Sequence, residues 1–127
     1  VSVPLAPVAA TEGSVMLQAT VQITGSGGLF WRCRHLPYFL LLEAKEGRVG
    51  LYRSYSFEPM AARSFPVEEG RAYDLRCILI DDILELYIDD VLLLQCGLPT
   101  TNGLLHIGFV ADRGGLTATN IKINCLL

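Results

Sequence analysis

The sequence lacks the features that mark several large classes of protein. No apolar run approaches the roughly 20 residues that a membrane span requires, and no basic run could follow a phosphate backbone. The net charge is only −3, which does not indicate a nucleic-acid partner. The length of 127 residues is that of one domain. We therefore expect a single domain that binds neither nucleic acid nor membrane.

Motifs of common catalytic and metal sites are also missing. The chain has no Gly-x-Ser-x-Gly elbow, no Glu-x-Asp-x-x-Glu strand of the sandwich-type glucanases, and only isolated histidines. Zinc ligands normally include close cysteine pairs. The four cysteines are instead far apart in apolar strand patterns: Cys33, Cys77, Cys96 and Cys125. We predict no enzymatic activity, no metal and no cofactor, with the cysteines as buried free thiols; one disulfide is the alternative.

What the sequence does have is alternation of apolar and polar residues. Between Arg71 and Gly97 there are three short segments, separated by Asp-Asp pairs at 81–82 and 89–90; the first two alternate in this way and the third is nearly all apolar. Alternation with a period of two is typical of half-buried strands, and aspartate is a good turn former. A helix would scatter the charged residues around its whole circumference. This stretch therefore predicts an antiparallel meander with one face on a core.

The same pattern continues along most of the chain. Turn residues at Gly25–Gly28 and Asp112–Gly115 are predicted to separate strands. The predicted strands are Ser14–Thr24, Leu29–Arg34, Tyr38–Ala44, Arg48–Arg53, Tyr73–Ile80, Ile83–Ile88, Val91–Cys96, Leu104–Ala111 and Leu116–Asn124, with one possible short edge strand within 54–66. Nine or ten short strands without a helix predict an all-β fold, a two-sheet antiparallel β-sandwich or jelly roll.

The prediction divides the chain into two parts. Residues 1–13 are a linker or a strand that leads into the domain, and residues 14–127 form the single β-sandwich domain. We expect a module cut from a longer protein or a processed terminus. The residues expected to be buried are Leu40, Leu42, Val49, Leu51, Leu75, Leu79, Leu84, Leu86 and Ile88. Trp31 falls on the same side and is expected in the core.

Several strands in a row resemble one group of known modules. The segments Gly28–Cys33, Tyr38–Glu43 and Arg48–Arg53, with the later hairpin and closing strands, resemble concanavalin A-like β-sandwich modules of fructan-degrading enzymes. Two groups of such modules fit this resemblance: carbohydrate-binding module family 66 of levanases and the C-terminal sandwich of glycoside hydrolase family 32. The resemblance covers residues 14–124. It implies a concanavalin A/laminin-G-like fold.

The same resemblance implies a function. It indicates a non-catalytic module that binds the terminal fructose of fructans, levan or inulin, and targets a covalently attached glycoside hydrolase. The alternatives are an accessory sandwich domain that binds no sugar itself, or a lectin-like domain of other glycan specificity. The protein would be secreted if its enzyme degrades a polymer, and cytoplasmic if its thiols are free.

Candidate ligand-binding residues lie on the sheet face opposite the predicted core. Sugars are held by planar polar groups that face paired hydroxyls and by an aromatic ring. Alternation places four such residues, with Phe30 and Phe39, on this face: Arg32, Glu43, Arg48 and Tyr52. By the resemblance, Arg32 and Glu43 occupy positions of an arginine and an acid in the levan-binding modules. The alternative is ordinary cross-strand charge pairs, such as Glu43 with Arg32 or Arg48.

A glycine-containing loop supplies two further candidates. Asp112 and Arg113 precede two glycines, which allow a close approach of the backbone to a ligand. A plain hairpin turn with two exposed charges is the alternative. We predict that Arg32, Glu43 and Tyr52 lie side by side and form a shallow polar site with Asp112 and Arg113. A packing domain would instead expose an apolar patch built from Phe57, Met60, Phe65 and Cys125–Leu127.

Overall fold

The computed structural model describes residues 7–12, 14–33, 36–54, 56–80, 82–98 and 104–126. Within these residues the chain forms nine β-strands and no helix. The strands are β1 (Pro7–Glu12), β2 (Ser14–Cys33), β3 (Leu36–Glu43), β4 (Arg48–Arg53), β5 (Ala61–Ser64), β6 (Tyr73–Ile80), β7 (Ile83–Ile88), β8 (Val91–Gly97) and β9 (Leu104–Leu126). No helix in this described part is long and apolar enough to cross a membrane.

Two long strands build both layers of the sandwich. β2 and β9 pair antiparallel along almost their whole lengths. The first half of β2 pairs with β6, and its second half pairs with β3. One layer therefore has the order β8-β7-β6-β2-β9, and the other has the order β5-β4-β3-β2-β9-β1. The predicted antiparallel jelly-roll sandwich is confirmed.

The two layers are joined at a corner where both long strands bend. Gly25 and Gly114 are opposite each other in the β2–β9 pairing, and both have positive φ, 79° and 77°. A Cβ at Gly114 would stand 2.2 Å from the carbonyl oxygen of Thr24. The prediction of separate strands around 25–28 and 112–115 was wrong, because glycine lets both strands turn together without losing their pairing.

The space between the layers holds the main core. All nine residues predicted to be buried have 2% or less of their surface exposed. Trp31 is also fully buried and stacks on Tyr38, with 5.7 Å between ring centroids. Cys77 is a buried free thiol and Cys96 a half-buried one. The side chains of Cys33 and Cys125 lie outside the described residues, so their predicted state stays a prediction.

The hairpin and edge predictions can be compared with the strands directly. Asp89 and Asp90 form the two-residue turn between β7 and β8, and both have positive φ, as a type I′ hairpin turn requires. Asp81 lies outside the described residues. The possible edge strand within 54–66 is β5. Residues Pro7–Glu12, in the range predicted as a linker or leading strand, form β1 and pair with β9.

Candidate functional site

A row of polar residues crosses the outer face of the β5-β4-β3-β2-β9-β1 layer beside the corner. Neighbouring positions in the strand pairing place Ser64, Arg48, Glu43, Ser26 and Arg113 in this order. Partners on adjacent strands are about 5 Å apart and point to the same face of a sheet. The side chains of this row can therefore contact one another directly.

Next to the polar row lies a second, smaller apolar cluster. Its members are each 4% exposed or less: Phe30, Phe39, Leu41, Tyr52 and Val110. The expectation that Tyr52 would offer its ring to a ligand is therefore wrong, and Phe30 and Phe39, which were predicted on the same face, are covered as well. Alternation identifies the face on which a side chain lies, but it does not show whether neighbouring residues cover that face.

Gly50 explains how the ring of Tyr52 becomes buried. A Cβ at Gly50 would stand 2.8 Å from Cε1 of Tyr52 and 2.9 Å from Oε2 of Glu43. Because glycine has no side chain, the tyrosine ring can lie across this position and bring its hydroxyl to Glu43. The ring of Tyr52 is thus packed inside the protein and cannot cover a sugar.

Glu43, Arg48 and Tyr52 form a closed hydrogen-bonded triangle. The carboxylate of Glu43, 4% exposed, accepts from Arg48 Nε at 2.8 Å and from the Tyr52 hydroxyl at 2.5 Å. Arg48 Nη2 also donates to the Tyr52 oxygen at 3.1 Å. Burial, and next the hydrogen bond to Glu43, raise the pKa of Tyr52 to about 12. The hydrogen bonds to Glu43 and Tyr52 raise the pKa of Arg48 above its already high value.

A second charged pair lies on the opposite side of Glu43. Arg113 Nη2 donates to both carboxylate oxygens of Glu46, at 2.9 and 3.0 Å, and Arg113 Nε donates to Ser26 Oγ at 3.3 Å. Ser26 in turn donates to Asp112 at 3.1 Å. Burial is the largest single influence on the pKa of Glu46 and acts to raise it, but the hydrogen bond from Arg113, a backbone hydrogen bond and the charges of Arg113 and Arg48 together lower the pKa. This network connects the β3–β4 turn to the corner of β9.

The two pairs border an open pocket of about 460 Å³. The side chains that line it are Leu41, Glu43, Glu46, Arg48, Tyr52, Ser56, Phe57, Asp112 and Arg113. Five of the six predicted ligand-binding residues therefore meet in one place. Glu46 is not among the predicted ligand-binding residues. Phe57, 92% exposed, was considered only for an apolar patch. The β3–β4 turn and the β4–β5 loop could be assigned to the pocket only once the strand pairing was known.

Arg32 does not belong to this pocket. It lies opposite Pro37 and His106, six positions along β2 from Ser26, the residue opposite Glu43. At about 3.3 Å per residue the separation along the strand is roughly 20 Å. The predicted contact between Arg32 and Glu43 is therefore wrong, and Glu43 pairs with Arg48 instead. Arg32 lies on the predicted face but at the other end of it.

The carboxylates of the pocket accept hydrogen bonds from other groups of the protein. Among the described residues, no group of three or more His, Cys, Asp or Glu side chains is arranged to hold a metal ion. The carboxylates in the pocket interact with nitrogen and hydroxyl donors of the protein itself. The chemistry that this arrangement offers is therefore hydrogen bonding to a polar ligand.

Comparisons with known proteins identify the fold. No protein-family model and no curated protein matches the sequence. The carbohydrate-binding module CBM66 from Bacillus subtilis superposes with a TM-score of 0.76 at 18% identity, over 93% of this chain and 78% of that one. The chain has the jelly-roll fold. Galectin LEC-6 from Caenorhabditis elegans gives a TM-score of 0.71 at 14% identity, over 97% of this chain and 91% of that one.

An enzyme shares the same architecture. The alginate lyase AlgAT5 of polysaccharide lyase family 7 gives a TM-score of 0.68 at 11% identity, over 94% of this chain and 63% of that one. Identities this low show a common fold and nothing about the ligand. The function of this chain is therefore inferred from the residues that line its pocket.

Proposed function

We propose that this domain is a non-catalytic carbohydrate-binding module and that the pocket described above is its ligand site. The observation that carries the proposal is the presence of two ordered arginine–carboxylate pairs, Arg48–Glu43 and Arg113–Glu46, in one pocket. Planar charged groups bind adjacent hydroxyls of a sugar. The fold of CBM66 and of a galectin supports this function.

The arginines are held in place before a ligand arrives. Arg48 is fixed by Glu43 and Tyr52, yet its side chain remains 34% exposed. Since a guanidinium carries five N–H groups, these two hydrogen bonds leave donors for a ligand. Ordering a long side chain on binding costs affinity, so a side chain that is already ordered binds more tightly.

The balance of charge favours a neutral sugar. Three carboxylates and two guanidinium groups line the pocket, and both guanidiniums already interact with carboxylates. An anionic sugar such as a uronate would meet an excess of negative charge. Among neutral sugars, the resemblance to levanase modules leads us to propose the terminal fructose of levan or inulin. Such a module would hold a covalently attached hydrolase close to its polymer.

The state of the carboxylates supports a role in binding without catalysis. A glycosidase needs one carboxyl group with a raised pKa as general acid and a second one across the scissile bond. The pKa of Glu46 is lowered, with the hydrogen bond from Arg113 as the largest of the lowering causes, and a lowered pKa does not suit a general acid. Both oxygens of Glu43 accept hydrogen bonds from groups of the protein, Arg48 and Tyr52.

Affinity gel electrophoresis in the presence of levan, inulin or alginate tests the proposal. We expect levan or inulin to retard the wild-type protein and alginate to leave its migration unchanged. Arg113→Ala and Arg48→Lys should each weaken binding by about 10- to 100-fold, because a hydrogen bond to a charged group is lost or misplaced. The lysine variant keeps a positive charge beside the buried Glu43, so that folding is preserved.

Arg76→Ala is the matched control. Arg76 lies in the other layer, pairs with Asp90 at 3.3 Å and is 31% exposed, similar to Arg48. Its removal should leave retardation unchanged. Absence of retardation on both fructans would refute the fructan assignment, and retardation by alginate would refute the argument from charge. Equal binding by wild type and both pocket variants would place the site elsewhere.

A further inference from the structure

We propose that Phe57 is a platform for a second sugar unit, so that the pocket binds two consecutive units of a chain more tightly than a free monosaccharide. This inference rests on the proposed function and extends it to the length of the ligand. Arg48 and Arg113 provide polar contacts in the lining of the pocket, and Phe57 provides an apolar surface in the same lining.

The exposure of Phe57 is the first observation. With 92% of its surface exposed, it is the most exposed of the large hydrophobic residues described. The ring is in water in the folded chain much as it is in the unfolded chain, so it contributes almost nothing to stability. An exposed aromatic ring beside polar groups is instead typical of a binding surface.

The loop that carries Phe57 is anchored at both of its ends. The amide of Ser54 donates to the carbonyl of Pro37 at 2.7 Å, and the amide of Met60 donates to the carbonyl of Leu51 at 2.7 Å. Next to Phe57, the hydroxyl of Ser56 donates to the carbonyl of Glu58 at 3.2 Å and accepts from its amide at 3.3 Å. This local turn sets the direction of the intervening residue. Hydrogen bonds therefore hold the loop that carries the ring of Phe57.

The burial of Tyr52 is the second observation. Its ring is 4% exposed and its hydroxyl is bonded to Glu43, so among the described residues that line the pocket Phe57 is the one with an exposed aromatic ring. A sugar unit at Arg48 and Arg113 binds through its hydroxyls. In the described part of the chain, stacking is then available to a unit that lies on Phe57.

An apolar packing surface for another domain explains Phe57 less well. Phe65, the second aromatic residue of the predicted patch, is half-buried and packs edge-on against Tyr73, with 5.6 Å between centroids. Met60 is 42% exposed. The described members of that predicted set therefore do not form a patch of exposed aromatic rings, whereas Phe57 does line the polar pocket.

Isothermal titration calorimetry with fructose, levanbiose, levantriose and the inulin-type trisaccharide 1-kestose tests the inference. We expect the wild-type Kd to fall by about 3- to 10-fold from fructose to a disaccharide or trisaccharide, the range that one aromatic contact provides. Phe57→Ala should remove this gain and leave the Kd for fructose within twofold. Phe57→Trp should keep the gain, and Met60→Ala, in the same loop, should behave as wild type.

The outcomes separate this inference from the proposed function. If the wild type binds fructose and longer fructans with equal affinity, or if Phe57→Ala keeps the gain, the second subsite is refuted while sugar binding stands. If Phe57→Ala weakens binding of fructose as much as that of the longer ligands, the ring belongs to the first subsite and the inference is also refuted. If the wild type binds none of the four sugars, both proposals fail together.

Discussion

At the scale of single residues, Glu43 shows how its neighbours decide what a carboxylate does. A buried carboxylate is costly unless charged or hydroxyl groups satisfy its oxygens. Glu43 receives both kinds of donor, from Arg48 and from Tyr52. Glu85, which accepts from Tyr87 at 3.3 Å and from Gln95 at 2.8 Å, is more exposed. The two glutamates therefore provide a matched comparison.

Removal of the Tyr52 hydroxyl should be more costly than removal of the Tyr87 hydroxyl at the half-buried Glu85. We expect Tyr52→Phe to lower the free energy of unfolding by about 1.5–3 kcal/mol, because the buried Glu43 loses a donor. Tyr87→Phe should cost less than about 1 kcal/mol, because water can replace its hydroxyl. Urea denaturation measures both values. Equal losses would show that the triangle at Glu43 has no special energetic role.

Two buried groups also make stability depend on alkaline pH. Burial raises the pKa of Cys77 to about 12 from an unfolded value near 9.0, and the pKa of Tyr52 is raised to about 12 from 10.0. The protonated forms are thus favoured in the folded protein. Their contribution to stability is complete below pH 9 and is lost as the pH rises towards 12, by about 1.4 kcal/mol per pH unit for each group.

Variants at these positions should flatten the alkaline loss. The free energy of unfolding of the wild type should fall from pH 9 upwards, with a smaller slope in Cys77→Val, which retains an apolar side chain of similar size. Tyr52→Phe should reduce the slope only above pH 10. Denaturation series at half-unit intervals of pH measure these slopes. A Cys77→Val slope equal to that of wild type would show that the thiol does not cause the loss.

At the scale of elements, the corner shared by β2 and β9 determines where the pocket lies. Ser26 and Arg113 flank the paired glycines Gly25 and Gly114. Because both strands bend here, the serine and the arginine come next to the β3–β4 turn, from which Glu46 reaches Arg113. A sheet without this bend would leave Arg113 without its partner.

Gly47 and Gly114 both have positive φ but differ in the space around them. Substitution of each one therefore separates the cost of backbone strain from the cost of packing at the corner. Gly47 has φ 65° and no atom within 4 Å of the place where a Cβ would stand, whereas a Cβ at Gly114 would lie 2.2 Å from a backbone oxygen. We expect Gly47→Ala to cost about 1–2 kcal/mol for the left-handed backbone alone. Gly114→Ala should cost at least about 2 kcal/mol more, since the strands must separate. Thermal and urea denaturation would measure both, and equal costs would contradict a tightly packed corner.

At the scale of the whole molecule, one apolar core lies between two layers, and the two layers also share the strands β2 and β9. Edge strands β5 and β8 come together at the open side, where Arg63 Nη1 donates to the carbonyl of Leu93 at 3.3 Å. At the closed side β2 and β9 run through both layers. The polar pocket and the hairpin turn at Asp89–Asp90 therefore belong to different layers of one folding unit.

Local periodicity determined much of this architecture. The period of two assigned the core side of β3, β4, β6 and β7 correctly, and the paired aspartates predicted the turn between β7 and β8. The same periodicity placed Glu43, Arg48 and Tyr52 on one face. These features depend only on neighbours in the sequence, because the side-chain direction in a strand alternates at every residue.

Only the tertiary structure decided the rest. The pairing of β2 with β3 moved Arg32 roughly 20 Å from Glu43 and brought Glu46 to Arg113. The packing around Gly50 buried the ring of Tyr52. Alternation states which way a side chain points, but not how far along a strand its partner lies or what covers it. Those properties arise from pairings between residues far apart in the chain, and a single sequence carries no local signal for them.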